Sequence, residues 1–364
     1  MRILYVDNEP TGVEDFKHLA ETRLGADCRI VSFDKASETI GTFKPDIVVL
    51  DLVQDPDEPA SAGMPQLRTI WEGRFCPIIV YSAFPERFTE EATEEMAQHP
   101  FVALVKKGSG SDLQGCECAK RFAGHIAALH AVDNAFSQAI HQTLRYLAPF
   151  AFQVMDEKSR DAFLVRAARR RVAAMMDVGH ESEGALACWE HYIYPPCDRN
   201  LLLGDVIYRR DEGWDNPEAF RLVLTPSCDI AQAKVTEVLV AKCKGAAHFV
   251  EILGLADASA EKLREKLPKS LSSGHALACI PLPPFQGKLP AMTADLRDLE
   301  LVSLKSIEPN GREFERVVSM DSPFRELVAW AYMQTCGRPG LPDRDVKAWS
   351  EEIIKEVNKA EEGG

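Results

Sequence analysis

Four side chains whose types could together move a phosphoryl group stand at the ends of short apolar runs. They are Asp7 after RILYV, Asp51 after IVVL, Ser82 after IIVY and Lys106 after VALV. A carboxylate that accepts a phosphoryl group needs a divalent metal to offset charge, a cation to hold the new phosphate and a small hydroxyl to bond it. Each residue alone is ordinary, since an aspartate at a strand end more often forms a turn. The weight lies in all of them closing successive runs in the right order. Lys107 is a rival for the cation, because strand alternation lets one of the two neighbouring lysines face the site. Lys106 is the expected one, as it directly follows the apolar stretch.

The elements that must position these residues are legible as alternation. Apolar runs at RILYV, CRIVSF, DIVVLDL, PIIVYSA and VALVKK are separated by helix-like stretches such as TGVEDFKHLAETRLG and MPQLRTIWEG. That pattern predicts an α/β unit with a doubly wound, five-stranded parallel sheet. Near-continuous Ile, Val and Leu in the third and fourth runs predicts strands buried on both faces. Ligands of such sheets bind beyond the carboxyl ends of the strands, where the four residues stand.

Over residues 1–130 the set resembles the response-regulator receiver family, whose fold is flavodoxin-like. In that family an acidic pair ends the first strand, the phosphoacceptor Asp the third, a Ser or Thr the fourth and a Lys the fifth. The resemblance implies Asp51 as phosphoacceptor, with Ser82 and Lys106 on the phosphate. It also implies Mg2+ held by Asp7, Asp51 and the backbone carbonyl of Val53. Gly63, with Met64 and Pro65, resembles the turn that follows the phosphoacceptor. Asn8 stands where the family supplies a second carboxylate to the metal, and its amide offers a carbonyl oxygen but no charge. Glu9 is a substitute. The loop from Val53 to Ala62 is longer than usual and carries Asp55, Asp57 and Glu58. The aromatic switch position, three before Lys106, is Ala103, and Phe101 is the alternative. The partner implied is a sensor histidine kinase or a phosphotransfer protein.

The rest of the chain divides into a helical connector, residues 131–178, and a β-rich region, residues 179–364. Helical periodicity through Phe122, Ile126, Leu129, Phe136, Ile140 and Leu144 predicts the connector, with an interruption at Pro149. A homodimer through this connector is expected. Short runs at GDVIYRR, FRLVLTPS, TEVLVAKC, HALACIPLP, LRDLELVSL and REFERVVSM predict a small antiparallel barrel-like domain, closed by helices over 323–335 and 343–360. No helix-turn-helix, zinc-finger or Gly-rich phosphate loop is present. Cys228 and Asp229, just past a strand-like run, form a candidate output site. A thiol nucleophile there needs a base, for which His180, His191, His248 and His275 are candidates. Cys188, Cys197, Cys228 and Cys243 with those histidines are an alternative metal set. A buried cysteine beside a turn-forming aspartate is the plainer reading.

Composition narrows the classes. With 42 Lys and Arg against 56 Asp and Glu, the net charge of −14 repels phosphate backbones. The basic run Arg166, Arg169, Arg170 and Arg171 reads as a solvated helix face or as ion pairs with Asp156, Glu157 and Asp161. Nucleic acid is therefore an unexpected partner. The ten cysteines lack a secreted framework, and the pair Cys116 and Cys118 lacks metal-ligand spacing. Neither a signal peptide nor an apolar run long enough for a membrane span is visible, so a cytoplasmic protein is expected. The leading expectation is a response regulator of a two-component phosphorelay. The alternatives are a docking module that Asn8 has removed from phosphorylation, and a receiver-gated enzyme using Cys228 and Asp229.

Overall fold

The computed structural model describes residues 1–52, 63–73, 75–176, 185–276, 278–309, 311–337 and 345–362. Val53 and the loop acids Asp55, Asp57 and Glu58 lie outside them, as does His180. The chain divides into two compact units, Met1–Gly179 and His180–Gly364.

In the first unit the strands are β1 (Arg2–Val6), β2 (Asp27–Val31), β3 (Ile47–Leu50), β4 (Ile78–Ser82) and β5 (Val102–Lys106). They pair in parallel in the order β2-β1-β3-β4-β5. This is the doubly wound sheet expected from the alternation. Helices α1 (Glu14–Leu24), α2 (Ala36–Phe43), α3 (Gly63–Gly73), α4 (Glu86–Glu91) and α5 (Glu94–Ala97) precede the long helix α6 (Ser111–Val154) and α7 (Glu157–Met176). One face of the sheet packs Ile3, Tyr5, Val49 and Ile79 against Phe16 and Ala20 of α1 and Ala119 and Phe122 of α6. The other packs Leu4, Val48, Leu50 and Val80 against Ile40, Leu67 and Phe88. All residues of β3 and β4 are buried, as two covered faces require.

One expectation about the helices is corrected. No break occurs at Pro149, because α6 runs unbroken through it. A proline inside a helix forfeits one backbone hydrogen bond, and here it does so little more than a turn from the end. The chain turns instead at Met155, where Asp156 accepts the backbone N–H of Ser159 at 3.0 Å and starts α7. At the base of α6, Gly115 lets the helix close on Phe16. A Cβ there would lie 2.5 Å from the ring.

The second unit holds β6 (Tyr192–Ile193), β7 (Asp205–Arg209), β8 (Phe220–Val223), β9 (Glu237–Gly245), β10 (Cys279–Leu282), β11 (Met292–Ser303) and β12 (Phe314–Met320). All six strand-like runs of the sequence supply a strand. The seven form one sheet in the order β10-β11-β9-β8-β7-β12-β6. Among the described residues β10 and β6 do not pair, so the hydrogen bonding is that of an open sheet. Helices α8 (Ser227–Ala231), α9 (Ala247–Ile252), α10 (Ala260–Ser272), α11 (Phe324–Cys336) and α12 (Val346–Glu362) complete the unit. Val206, Leu222 and Ala241 face a core that includes Val328 and Ala331 of α11. Ile207, Val223 and Val240 face a second core with Ile230 and Phe314.

Candidate functional site

At the carboxyl ends of β1 and β3, Asp7 and Asp51 converge on one ammonium group. Lys107 Nζ donates to Asp7 Oδ2 at 2.8 Å and to Asp51 Oδ2 at 2.7 Å. The remaining carboxylate oxygens are also held. Asp7 Oδ1 accepts the N–H of Glu9 at 2.7 Å, and Asp51 Oδ1 accepts the N–H of Leu52 at 2.7 Å. Ser82, fully buried at the end of β4, accepts the N–H of Phe84 at 3.3 Å. Gly63 packs on the backbone of Asp51 so closely that a Cβ would lie 2.2 Å from its carbonyl oxygen, which explains glycine there.

The cation is Lys107, and the expectation of Lys106 is corrected. β5 is an edge strand, so one of its faces is covered: Ala103 and Val105 are buried while Leu104 and Lys106 are exposed. The alternation that buries Ala103 and Val105 carries on to Lys107. The covered-face pattern was the signal; an apolar run ending at Val105 was not. Counting three residues back from Lys107 gives Leu104, which is 39% exposed, in place of the buried Ala103. Phe101 packs among Phe75, His99, Phe122 and His125 at the opposite end of the strand.

Electrostatics at the site follow from one cation serving two carboxylates. Burial raises the Asp7 pKa, and the hydrogen bonds from Lys107 and Glu9 only partly oppose it, leaving a net upward shift. Burial would lower the pKa of Lys107, but its bonds to Asp51 and Asp7 outweigh that and hold it above its ordinary value. Two converging carboxylates suit a hard cation such as Mg2+, which commonly takes one or two carboxylates and keeps several waters. Asn8 is turned elsewhere: its Oδ1 accepts the N–H of Phe33 at 3.1 Å, tying the end of β1 to the turn before α2.

The sequence-predicted output site does not assemble a catalytic set. Cys228 is exposed, its thiol donates to Asp229 Oδ1 at 3.7 Å, and Lys234 shares that carboxylate at 3.4 Å. No histidine bonds to either among the described residues. Cys188, Cys197 and Cys228 are exposed and Cys243 is buried, its thiol pushed up to about 12 by burial. Instead the register of β10 and β11 places Cys279 opposite Asp295, and His248 of α9 reaches Asp295 at 3.1 Å. His248 was a candidate, but Cys279 and Asp295 were missed because the three are far apart in sequence and only the fold unites them. Asp295 also takes Lys244 at 3.3 Å and Arg297 at 3.1 Å, which overcome the effect of its burial and hold its pKa well below the carboxylate range. Burial pushes the Cys279 thiol up to about 11, so it is not a ready nucleophile.

Arg166, Arg169, Arg170 and Arg171 form an exposed face of α7. Cys116 lies in the core beneath α6. No described helix is long and apolar enough to cross a membrane.

No family model matches the chain, and no curated protein matches it at a significant level. Among solved structures, the anti-anti-sigma factor PhyR from Bartonella quintana is similar at 23% identity, over 36% of this chain and 51% of that one, with a TM-score of 0.28. The response regulator PhyR from Brucella abortus is similar at 26% identity, over 36% and 52%, with a TM-score of 0.28. The chain thus spans about half the length of these structures. The N-terminal receiver domain of RstA from Klebsiella pneumoniae is similar at 20% identity, over 35% of this chain and 98% of that one, with a TM-score of 0.23.

Proposed function

We propose that the chain is a response regulator whose first unit is a receiver that accepts a phosphoryl group on Asp51 and controls the β-rich second unit. The observation that carries this reading is the bridge of Lys107 between Asp7 and Asp51 at the ends of neighbouring parallel strands. The phosphoryl donor is a sensor histidine kinase or a phosphotransfer protein, whose phosphorus–nitrogen bond breaks as Asp51 Oδ attacks phosphorus. Mg2+, held by Asp7 and Asp51, supplies the charge neutralisation that two carboxylates and a phosphoryl group together require. Lys107 then leaves the carboxylates for a phosphate oxygen, and the Ser82 hydroxyl, which accepts from Phe84, turns its own proton to donate to another. That exchange biases two arrangements of the sheet end, a population shift passed on through α6 and α7.

A two-helix hairpin cannot bury a core alone, and α6 exposes Val132, Phe136, Ile140 and Leu144 at intervals of four. In this reading a second copy of the chain covers that stripe as a four-helix bundle. Ile140→Glu is expected to convert a dimer to a monomer in sedimentation equilibrium; a wild-type monomer sinks this part of the reading.

The central test is intact mass after incubation with a small phosphodonor and Mg2+, for the wild type and Asp51→Ala. A gain of one phosphoryl group that needs Asp51 is expected. A folded wild-type protein that gains nothing favours a phosphorylation-independent docking module, with Asn8 as the cause.

A further inference from the structure

We propose that the second unit holds a zinc site formed by His248 of α9, Cys279 of β10 and Asp295 of β11. Cys279 and Asp295 are direct cross-strand partners, which places their side chains on one face of the sheet. His248 reaches the same point from α9, with its Nε2 3.1 Å from Asp295 Oδ2. A ring nitrogen, the thiol sulfur and a carboxylate oxygen of the three lie within 4.8 Å of one another. Ligands about 2.0 Å from a tetrahedral ion stand about 3.3 Å apart, close to the His248–Asp295 separation, and a sulfur at about 2.3 Å stands about 3.5 Å from its neighbours. Side-chain rotations that move the ligand atoms by about 1 Å therefore close the set.

The surroundings of His248 point to an ion. Its Nδ1 lies 3.4 Å from Glu251 Oε2 while Nε2 faces Asp295, so both ring nitrogens meet a carboxylate. A neutral imidazole has one N–H and can satisfy one of them. An ion on Nε2 satisfies the other, and Glu251 then serves as the outer carboxylate that commonly orients a metal-bound histidine. Asp295 is held in a compatible way. Its Oδ1 accepts the backbone N–H and the Nε of Arg297, both at 3.1 Å, which leaves Oδ2 turned to His248. Lys244 and Arg297 Nη2 also reach Oδ2, at 3.3 and 3.4 Å. Asp298 holds the same Lys244 ammonium at 3.3 Å, and keeps it when an ion takes its place.

The donor set selects the metal. Thiolate, imidazole and carboxylate together suit Zn2+, whereas Mg2+ and Ca2+ take oxygen ligands. Burial and the charge of Asp295 favour the thiol form of Cys279, while Arg297 and Lys244 favour the thiolate. Coordination settles that balance, because a metal-bound thiol is deprotonated outright. Cys279 Sγ–H plus Zn2+ gives the Sγ–Zn bond and one released proton, with no change of oxidation state. The group has three members among the described residues, so a water completes the tetrahedron. Such a site joins α9 to two strands and makes the stability of the second unit depend on zinc.

The test is a Co2+ titration of the reduced full chain in excess Mg2+, which fills oxygen-only sites, followed by displacement with Zn2+. One Co2+ per chain is expected, with the near-ultraviolet thiolate-to-cobalt band and the strong visible bands of tetrahedral Co2+, and Zn2+ should remove both. The bands are expected to survive the joint replacement Cys188→Ser, Cys197→Ser, Cys228→Ser and Cys336→Ser, which removes the exposed thiols. Cys279→Ser should abolish the near-ultraviolet band, and His248→Gln should weaken Zn2+ by more than about tenfold in competition with a chromophoric chelator. Cys279 is fully buried, so its variant is read only if it melts cooperatively; His248→Gln, at a partly exposed position, carries the test otherwise. No near-ultraviolet band, a band lost with the four exposed thiols, a band retained in Cys279→Ser, or Zn2+ affinity indifferent to His248→Gln overturns the proposal.

Discussion

Two buried aspartate centres in this chain meet their cations in opposite proportions. At the end of the parallel sheet, Asp7 and Asp51 share the ammonium of Lys107. On the antiparallel sheet, Asp295 receives Lys244, Arg297 and His248, with Lys244 shared with Asp298 and His248 with Glu251. At the first centre burial raises the pKa of Asp7; at the second the hydrogen bonds from Arg297, His248 and Lys244 outweigh burial, and that of Asp295 falls. Similar ingredients therefore do different work. Two carboxylates joined by one flexible lysine are suited to exchange it for a new partner, whereas a carboxylate held by donors from three elements is a clamp between α9, β9 and β11.

The difference can be broken most sharply at Lys107. Lys107→Met is expected to slow phosphoryl uptake from a small donor by about a hundredfold, in an intact-mass time course in which Lys106→Met matches the wild type. Equal behaviour of the two variants would contradict the assignment. Next in size, Asn8→Asp adds a third carboxylate to the centre of Asp7 and Asp51, and should tighten Mg2+ binding by about tenfold in a calorimetric titration. An unchanged affinity would mean that the new side chain stays on the N–H of Phe33.

Asp295→Asn should cost about 1–3 kcal/mol in denaturant melts at neutral pH, discounted for the partial exposure of Lys244 and Arg297. Asp7→Asn should instead be neutral or stabilising there, as it relieves a carboxylate that pays for burial. The pH dependences carry opposite signs. With its folded pKa above the ordinary 3.8, Asp7 binds its proton more tightly in the folded chain, so stability falls as pH climbs from that value through the folded pKa. Asp295 has its folded pKa below 3.8, so its contribution is present above that value and lost as pH falls through the folded pKa. Melting curves between acid and neutral pH should lose the first trend in Asp7→Asn and the second in Asp295→Asn. The smallest effect is that of Lys106→Ala, within about 0.5 kcal/mol of the wild type.

Local pattern was enough for what local pattern determines. Runs of Ile, Val and Leu marked nine of the strands together with β10 and β11, and the polar residues closing them included Asp7, Asp51 and Ser82. The choice between Lys106 and Lys107 turned on which face of an edge strand is covered, a property of the neighbours of β5 more than of β5 itself. Pro149 looked like a break because proline costs a helix one bond, but α6 packs on α7 and buries Ala139, Thr143 and Ala151 on either side of it, which outweighs one bond. The group formed by His248, Cys279 and Asp295 depends on strand register over long separations, which no spacing rule contains.

The unbroken course of α6 has a mechanical consequence. Its first turns are seated in the core through Cys116, Ala119, Phe122 and Ile126, and the 44-residue helix continues to Val154 as a rod anchored at one end. At about 1.5 Å per residue the part beyond His130, which meets Asp46 Oδ1 at 2.8 Å, is roughly 36 Å long, so a tilt of about 5° at the anchored end swings the tip by about 3 Å. The helix acts as a lever arm, turning a displacement near the width of one bond at the sheet into one comparable to the spacing between packed side chains.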